Sequence, residues 1–243
     1  MGSPPQHNIT IGHGSHTGCK RAHNEDTYDA NQSQRLWLVA DGMGGHDHGE
    51  VASAIARHVI NHEVAQGKTL EDAIHQANAA IIQQSLKQGD NLPMGTTVAA
   101  LRLNKNKYDI AWVGDSRVYL HDEQGLRSLS RDHSYVQELM DQQLISAAQA
   151  RSHPHRNVVT QALGVTASED LKVATKTGTV PSGGKFLLCS DGLTEEVNDE
   201  YIANILSKDL HPQELADQLI LAALEAGGSD NITVLVVDTT YPA

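Results

Sequence analysis

The chain has 243 residues, 39% of them hydrophobic and 20% charged, the proportions of a folded globular protein rather than a disordered or fibrous one. Its 18 Lys and Arg stand against 30 Asp and Glu, a formal net charge of −12. That balance argues against nucleic acid or an anionic membrane as partner, since both reward a basic surface.

No stretch approaches the roughly 18 apolar residues of a membrane span. Residues 1–9 carry neither a basic start nor an apolar run, so they read as a short leader of the kind cloning leaves. Two cysteines far apart, Cys19 and Cys189, make no disulfide framework, which leads to the expectation of a reducing cytoplasm. Without an internal repeat or a Pro- or Ser-rich linker, residues 10–243 are expected to form a single domain.

In chain order, Arg35–Ala40 is a short apolar run bounded by turn residues, which predicts a strand. From Glu50 to Gln66, Val51, Ile55 and Val59 recur every fourth position, which predicts a helix. A second helix is predicted over Thr69–Gln88, with the stripe Leu70, Ile74, Ala77 and Ile81, a cap from Thr69 and Asp72, and Gly89 as its stop. Strands over Thr96–Leu103, Tyr108–Val113 and Val118–His121 follow with only tight turns between them, as in an antiparallel meander. Further strands are expected at Lys185–Ser190 and Ile232–Val237, around a helix over Pro212–Ala226 that Gly227-Gly228 closes. Strands run together and long helices come in pairs, so the class is α+β, a layered sandwich rather than a doubly wound sheet.

The acids fall at the ends of these runs. Asp41 follows Leu36–Ala40, Asp191 follows Phe186–Ser190, Asp115 lies between two strands, Asp230 precedes Ile232–Val237, and Glu25-Asp26 precede the first central strand. Singly, Asp-Gly and Gly-Asp-Ser are ordinary turns. Together, at one edge of stacked sheets, uncompensated carboxylates repel and their pKa values climb. A hard divalent cation, Mg²⁺ or Mn²⁺, resolves this through oxygen ligands. Zinc is disfavoured: His46-Asp47-His48 and His153-Pro154-His155 lack a Cys pair or an HExxH helix, and His48, His153 and His155 are expected on solvated loops. Gly42–Asp47 fails the dinucleotide fingerprint, and no phosphate-binding P-loop or GxSxG elbow is present.

The ordered motifs Arg21…Asn24-Glu25-Asp26, Asp41-Gly42-Met43-Gly44-Gly45-His46, Gly95-Thr96-Thr97, Gly114-Asp115-Ser116-Arg117, Arg131-Asp132-His133-Ser134, Ala162-Leu163-Gly164, Ser190-Asp191-Gly192-Leu193 and Ser229-Asp230-Asn231 resemble those of the metal-dependent type 2C protein serine/threonine phosphatases, in their stand-alone bacterial branch. The likeness runs from about Thr10 to Asp238. It implies a central antiparallel β-sandwich flanked by antiparallel helix pairs, in four α-β-β-α layers. It also implies a dinuclear Mn²⁺ or Mg²⁺ centre that activates a bridging water to hydrolyse phosphoserine and phosphothreonine without a phosphoenzyme. Carried over, Asp41 bridges both metals, Glu25 and the Gly42 carbonyl serve one, and Asp191 and Asp230 serve the other. Asp115 and Asp191 match ligands of a third, weaker ion. Arg21 matches the residue that grips the substrate phosphate, and His46 a proton donor to the leaving oxygen. Met43 stands where animal members have His, so position 43 donates no proton.

Residues 135–157 correspond to the family's mobile flap, against which a plain surface helix and loop is the alternative. The likeness further implies a cognate serine/threonine kinase as partner, and a monomer is expected because no heptad or long apolar patch is evident. Two rivals to the phosphatase remain, a catalytically silent module that binds phosphoproteins or a kinase, and a metal phosphoesterase for small molecules.

Overall fold

The computed structural model describes residues 9–44, 48–88 and 94–239. Strands β1 (Thr10–His16) and β2 (Thr27–Asn31) precede β3 (Leu36–Ala40), which passes into the two-residue β4 (Gly42–Met43). Helices α1 (His48–Ala65) and α2 (Leu70–Gln88) follow, then β5 (Gly95–Thr96), β6 (Val98–Asn104), β7 (Lys107–Val113), β8 (Arg117–Asp122) and β9 (Gly125–Ser128). Short helices α3 (Tyr135–Asp141) and α4 (Ala147–Arg151) lead to β10 (Ala174–Thr179) and β11 (Lys185–Cys189). The chain closes with α5 (Asp191–Thr194), α6 (Asp199–Leu206), α7 (Pro212–Ala226) and β12 (Ile232–Asp238).

Two antiparallel five-stranded sheets stack face to face, one ordered β1-β12-β11-β8-β9 and the other β10-β7-β6-β3-β2. Alternation along each central strand divides its side chains between two cores. In β3, Trp37 and Val39 face the other sheet, while Leu36, Leu38 and Ala40 pack under α1 and α2. In β11, Phe186 and Leu188 fill the inter-sheet core, while Leu187 and Cys189 meet α6 and α7. Both faces of these strands are covered, so they read as unbroken apolar runs. The result is the expected four-layer α-β-β-α sandwich.

The helix boundaries follow from local chemistry. Asp72 N–H donates to Thr69 Oγ1 at 3.1 Å, capping α2, and α7 opens on Pro212 with a reciprocal cap between His211 and Glu214. The expected strand over Thr96–Leu103 is interrupted at Thr97. There the backbone leaves the ladder: Thr97 N–H donates to the Asp41 carbonyl at 2.8 Å and Thr97 Oγ1 accepts from Asp41 N–H at 3.1 Å. His48, expected on a loop, instead opens α1.

Candidate metal centre

The strand registers place the acids. β3 and β7 both pair antiparallel with β6 and so run parallel to each other. Their carboxyl ends, and with them Asp41 and Asp115, therefore share one edge of that sheet. β2 begins opposite the end of β3, with Thr27 across from Ala40, so Glu25 and Asp26 arrive at the same edge. In the other sheet, the end of β11 lies beside the start of β12, Cys189 opposite Val234, which brings Asp191 near Asp230. β1 ends at that edge too, with His16 opposite Ile232, and the 17–26 link that follows carries Arg21 across from one sheet to the other. The six acids, distant in sequence, thus occupy one end of the sandwich.

Local bonds hold each piece. The Asn231 side chain ties down the link: its Oδ1 accepts from Glu25 N–H at 2.8 Å, and its Nδ2 donates to the carbonyls of Thr17 and His23, both at 2.9 Å. Gly42 N–H and Ser53 Oγ both donate to the Glu25 carbonyl, at 3.2 and 2.7 Å. A Cβ on Gly49 would lie 2.7 Å from Glu25 Oε1, and one on Gly42 2.2 Å from the Gly49 carbonyl oxygen. Only glycines let the start of α1 press so closely on the acid and on the backbone after Asp41. Gly114 adopts φ +101°, the left-handed turn that carries β7 over to Asp115.

The electrostatics are those of an uncompensated anionic cluster. Burial, then repulsion from Asp26 and Asp191, pushes the Asp41 carboxyl well above its ordinary range. Burial raises Asp115, with Asp191 the next contributor, and burial raises Asp191, with Asp230 the next. The arginines that reach the cluster are already committed. Arg21 Nη2 donates to Asp230 Oδ2 at 2.6 Å, and Arg117 forks onto Asp132 through Nε and Nη2 at 2.9 and 2.7 Å. One oxygen of Asp191 and one of Asp26 are buried with no hydrogen-bond partner, a costly arrangement for an isolated protein. Hard, orphaned oxygen donors without a free counter-charge fit Mg²⁺ or Mn²⁺. Among the described residues the acids form an open rim, no three of them closing on one point.

Every expected acid (Glu25, Asp41, Asp115, Asp191 and Asp230) and the Gly42 backbone belong to this edge, and Arg21 stands over it with its side chain half exposed. His46 lies outside the described residues. Sequence reasoning missed Glu195. It caps the carboxyl end of α5, one helical turn after Asp191, the i, i+4 spacing that puts both on one face. Burial and then the Asp191 charge push Glu195 up to about 7, against the pull of Arg156. A cleft of about 700 Å³ opens from Asp115 and Asp191 and runs under α3 and α4. The segment containing those helices is pinned at its base by a bridge between Ser134 and Val159, by Tyr135 N–H donating to the Val158 carbonyl at 2.9 Å, and by the Arg131–Asp141 ion pair.

The protein phosphatase 2C family profile matches residues 14–225. The serine/threonine phosphatase Stp of Listeria welshimeri is 38% identical over 233 residues, covering 90% of this chain and 91% of that protein. The crystal structure of the serine/threonine phosphatase PstP/Ppp of Mycobacterium tuberculosis superposes with a TM-score of 0.87 at 34% identity, covering 96% of this chain and 99% of that one. A PstP catalytic domain in complex with 2 manganese ions gives a TM-score of 0.83 at 31% identity, covering 96% of this chain and 100% of that one. On the ordered motifs, the four-layer sandwich and these likenesses, the chain belongs to the protein phosphatase 2C family.

Proposed function

We propose that this chain hydrolyses phosphoserine and phosphothreonine in proteins at a dinuclear Mn²⁺ or Mg²⁺ centre. The observation that carries the proposal is the gathering of Asp41, Asp115, Asp191 and Asp230 at one sandwich edge, with burial holding the first three carboxyls above their ordinary pKa range. In this reading Glu25, Asp41 and the Gly42 carbonyl would hold one ion and Asp41, Asp191 and Asp230 the other, with Asp41 common to both. Asp115 and Asp191 would hold a weaker third. Cations bound there supply an activated water nucleophile and neutralise charge on the phosphoryl oxygens.

The chain's own residues do the rest. Arg21 offers the N–H groups it does not use on Asp230 to two phosphoryl oxygens, with the fork already oriented by that ion pair. His46, five residues beyond Asp41, delivers the proton that the departing serine or threonine oxygen needs. Residues 135–157 act as a flap over the cleft and shield the reacting groups from bulk water. The reading extends to a cytoplasmic monomer acting on the targets of a cognate serine/threonine kinase, which such substrates require.

The experiment is phosphate release from a phosphothreonine peptide with Mn²⁺ present, after EDTA dialysis, and in the Asp41→Asn plus Asp191→Asn variant. Activity that needs Mn²⁺ and is lost in the variant is expected. Full activity after metal removal or in the variant overturns the proposal.

A further inference from the structure

The cleft beyond the carboxylate cluster is lined by charges of both signs, and most of them are paired. The acids that line it beyond Asp115 and Asp191 are engaged. Asp132 is forked by Arg117, Asp199 accepts from Tyr119 Oη at 3.2 Å, and Glu196 accepts from Ser229 N–H at 2.9 Å. Glu195 faces Arg156 and bonds Asn157. Of the cations, Arg117 is bound to Asp132 and Arg131 to Asp141. Two more, Arg151 at the end of α4 and Lys176 on β10, line the same cleft, are exposed, and their side chains form no hydrogen bond or ion pair among the described residues.

These two come from separate elements, one on the helical segment above the cleft and one on the edge strand of a sheet. The acids that line the cleft are bonded elsewhere and leave both uncompensated. Free cations facing a groove that leads to a phosphate-binding centre are suited to negative charge on the same ligand as the phosphate. A phosphoprotein segment lying in the groove carries such charge when Asp or Glu flanks the phosphorylated residue.

Building on the phosphatase reading above, we propose that Arg151 and Lys176 select substrates whose phosphoserine or phosphothreonine is flanked by acidic residues. The acidic net charge of the protein disfavours such peptides elsewhere on the surface, so the two cations also fix where the flank lies. Exposed pairs of this type are individually weak, each changing affinity by up to about fivefold, and they are screened by salt.

The test compares kcat/KM for two phosphothreonine peptides, one with glutamates on both flanks and one with alanines. It uses the full chain with Mn²⁺, at low and at high ionic strength, and the Arg151→Gln plus Lys176→Gln double variant. The wild type is expected to favour the acidic peptide by about three- to tenfold at low salt, a preference that falls towards one in the double variant and in high salt. A wild-type ratio at or below one, or a preference the double variant retains, overturns the proposal. Failure to release phosphate from either peptide would instead overturn the phosphatase reading, so the two failures are distinct.

Discussion

Arg21 donates one of its five N–H groups to Asp230 and leaves the rest of a half-exposed guanidinium facing outward from the acid edge. A lysine at this position keeps the charge but loses the planar fork, so it cannot hold Asp230 and two phosphoryl oxygens at once. The Arg21→Lys variant is expected to lose about 10²-fold in kcat/KM, the scale for removing one preorganised donor. Steady-state kinetics on a phosphopeptide measures it, with calorimetry showing unchanged Mn²⁺ affinity; a loss under threefold would contradict the role. The carboxylates give a second prediction. Asp41, Asp115, Asp191 and Glu195 all have pKa values raised above the ordinary carboxylate range, burial being the largest cause in each. An acid whose folded pKa is raised binds its proton more tightly when folded. The stability this supplies is complete below the unfolded pKa and is lost as pH rises through the folded one. The metal-free protein should therefore lose thermal stability between about pH 5 and pH 7, the value to which Glu195 is pushed. Saturating Mn²⁺ should restore about 5–10 °C at pH 7.5. Calorimetric scans across that range, with and without the metal, decide it, and a flat profile together with no Mn²⁺ shift would refute the electrostatic account. Asp41, Asp115, Asp191 and Asp230 were legible because each lies within two residues of an apolar run. Glu195 was not, because its link to Asp191 depends on a four-residue helix too short to leave a periodic pattern. The Arg117–Asp132 fork joins residues fifteen positions apart, and no local spacing announces it.

Among the elements, visibility in the sequence follows burial. The central strands β3, β6, β7, β8, β11 and β12 have both faces covered and read as apolar runs. β1, β2, β9 and β10, which the sequence did not reveal, are the edge strands of the two five-stranded sheets. Their sequences, such as Ala174–Thr179 with the exposed Thr175, Lys176 and Thr177, are polar because one side of each lacks a partner strand. Helix α6 was missed as well, since eight residues show little more than one apolar repeat, Ile202 with Ile205 and Leu206. α1, α2 and α7, with three turns or more, were placed within two residues. Residues 135–157 divide into α3 and α4, and α4 depends on a capping box in which Ser146 Oγ accepts from Gln149 N–H and the Gln149 side chain bonds back to Ser146. The Ser146→Ala variant should destabilise this helix by about 1 kcal/mol and raise amide exchange over 146–152. The sandwich packs without α4, so the global melting temperature should not move; a global loss would show that the segment is part of the core.

At the scale of the whole molecule, three stacked cores make a rigid frame whose one end collects side chains from both sheets. Leu188 and Phe186 from one sheet and Trp37 and Val39 from the other share the middle core, so the distance between the strand ends that carry Asp191 and Asp41 is fixed by close packing. A sandwich of this kind was readable from the order of runs and helices; the meeting of the two sheets at the acid edge required the registers. The measurement that bears most directly on this is anomalous diffraction from crystals grown with Mn²⁺. Two manganese peaks enclosed by Glu25, Asp41, Asp191 and Asp230, with Asp41 between them, are the expected result. Manganese absent from that edge, or bound only at another face of the molecule, would contradict it.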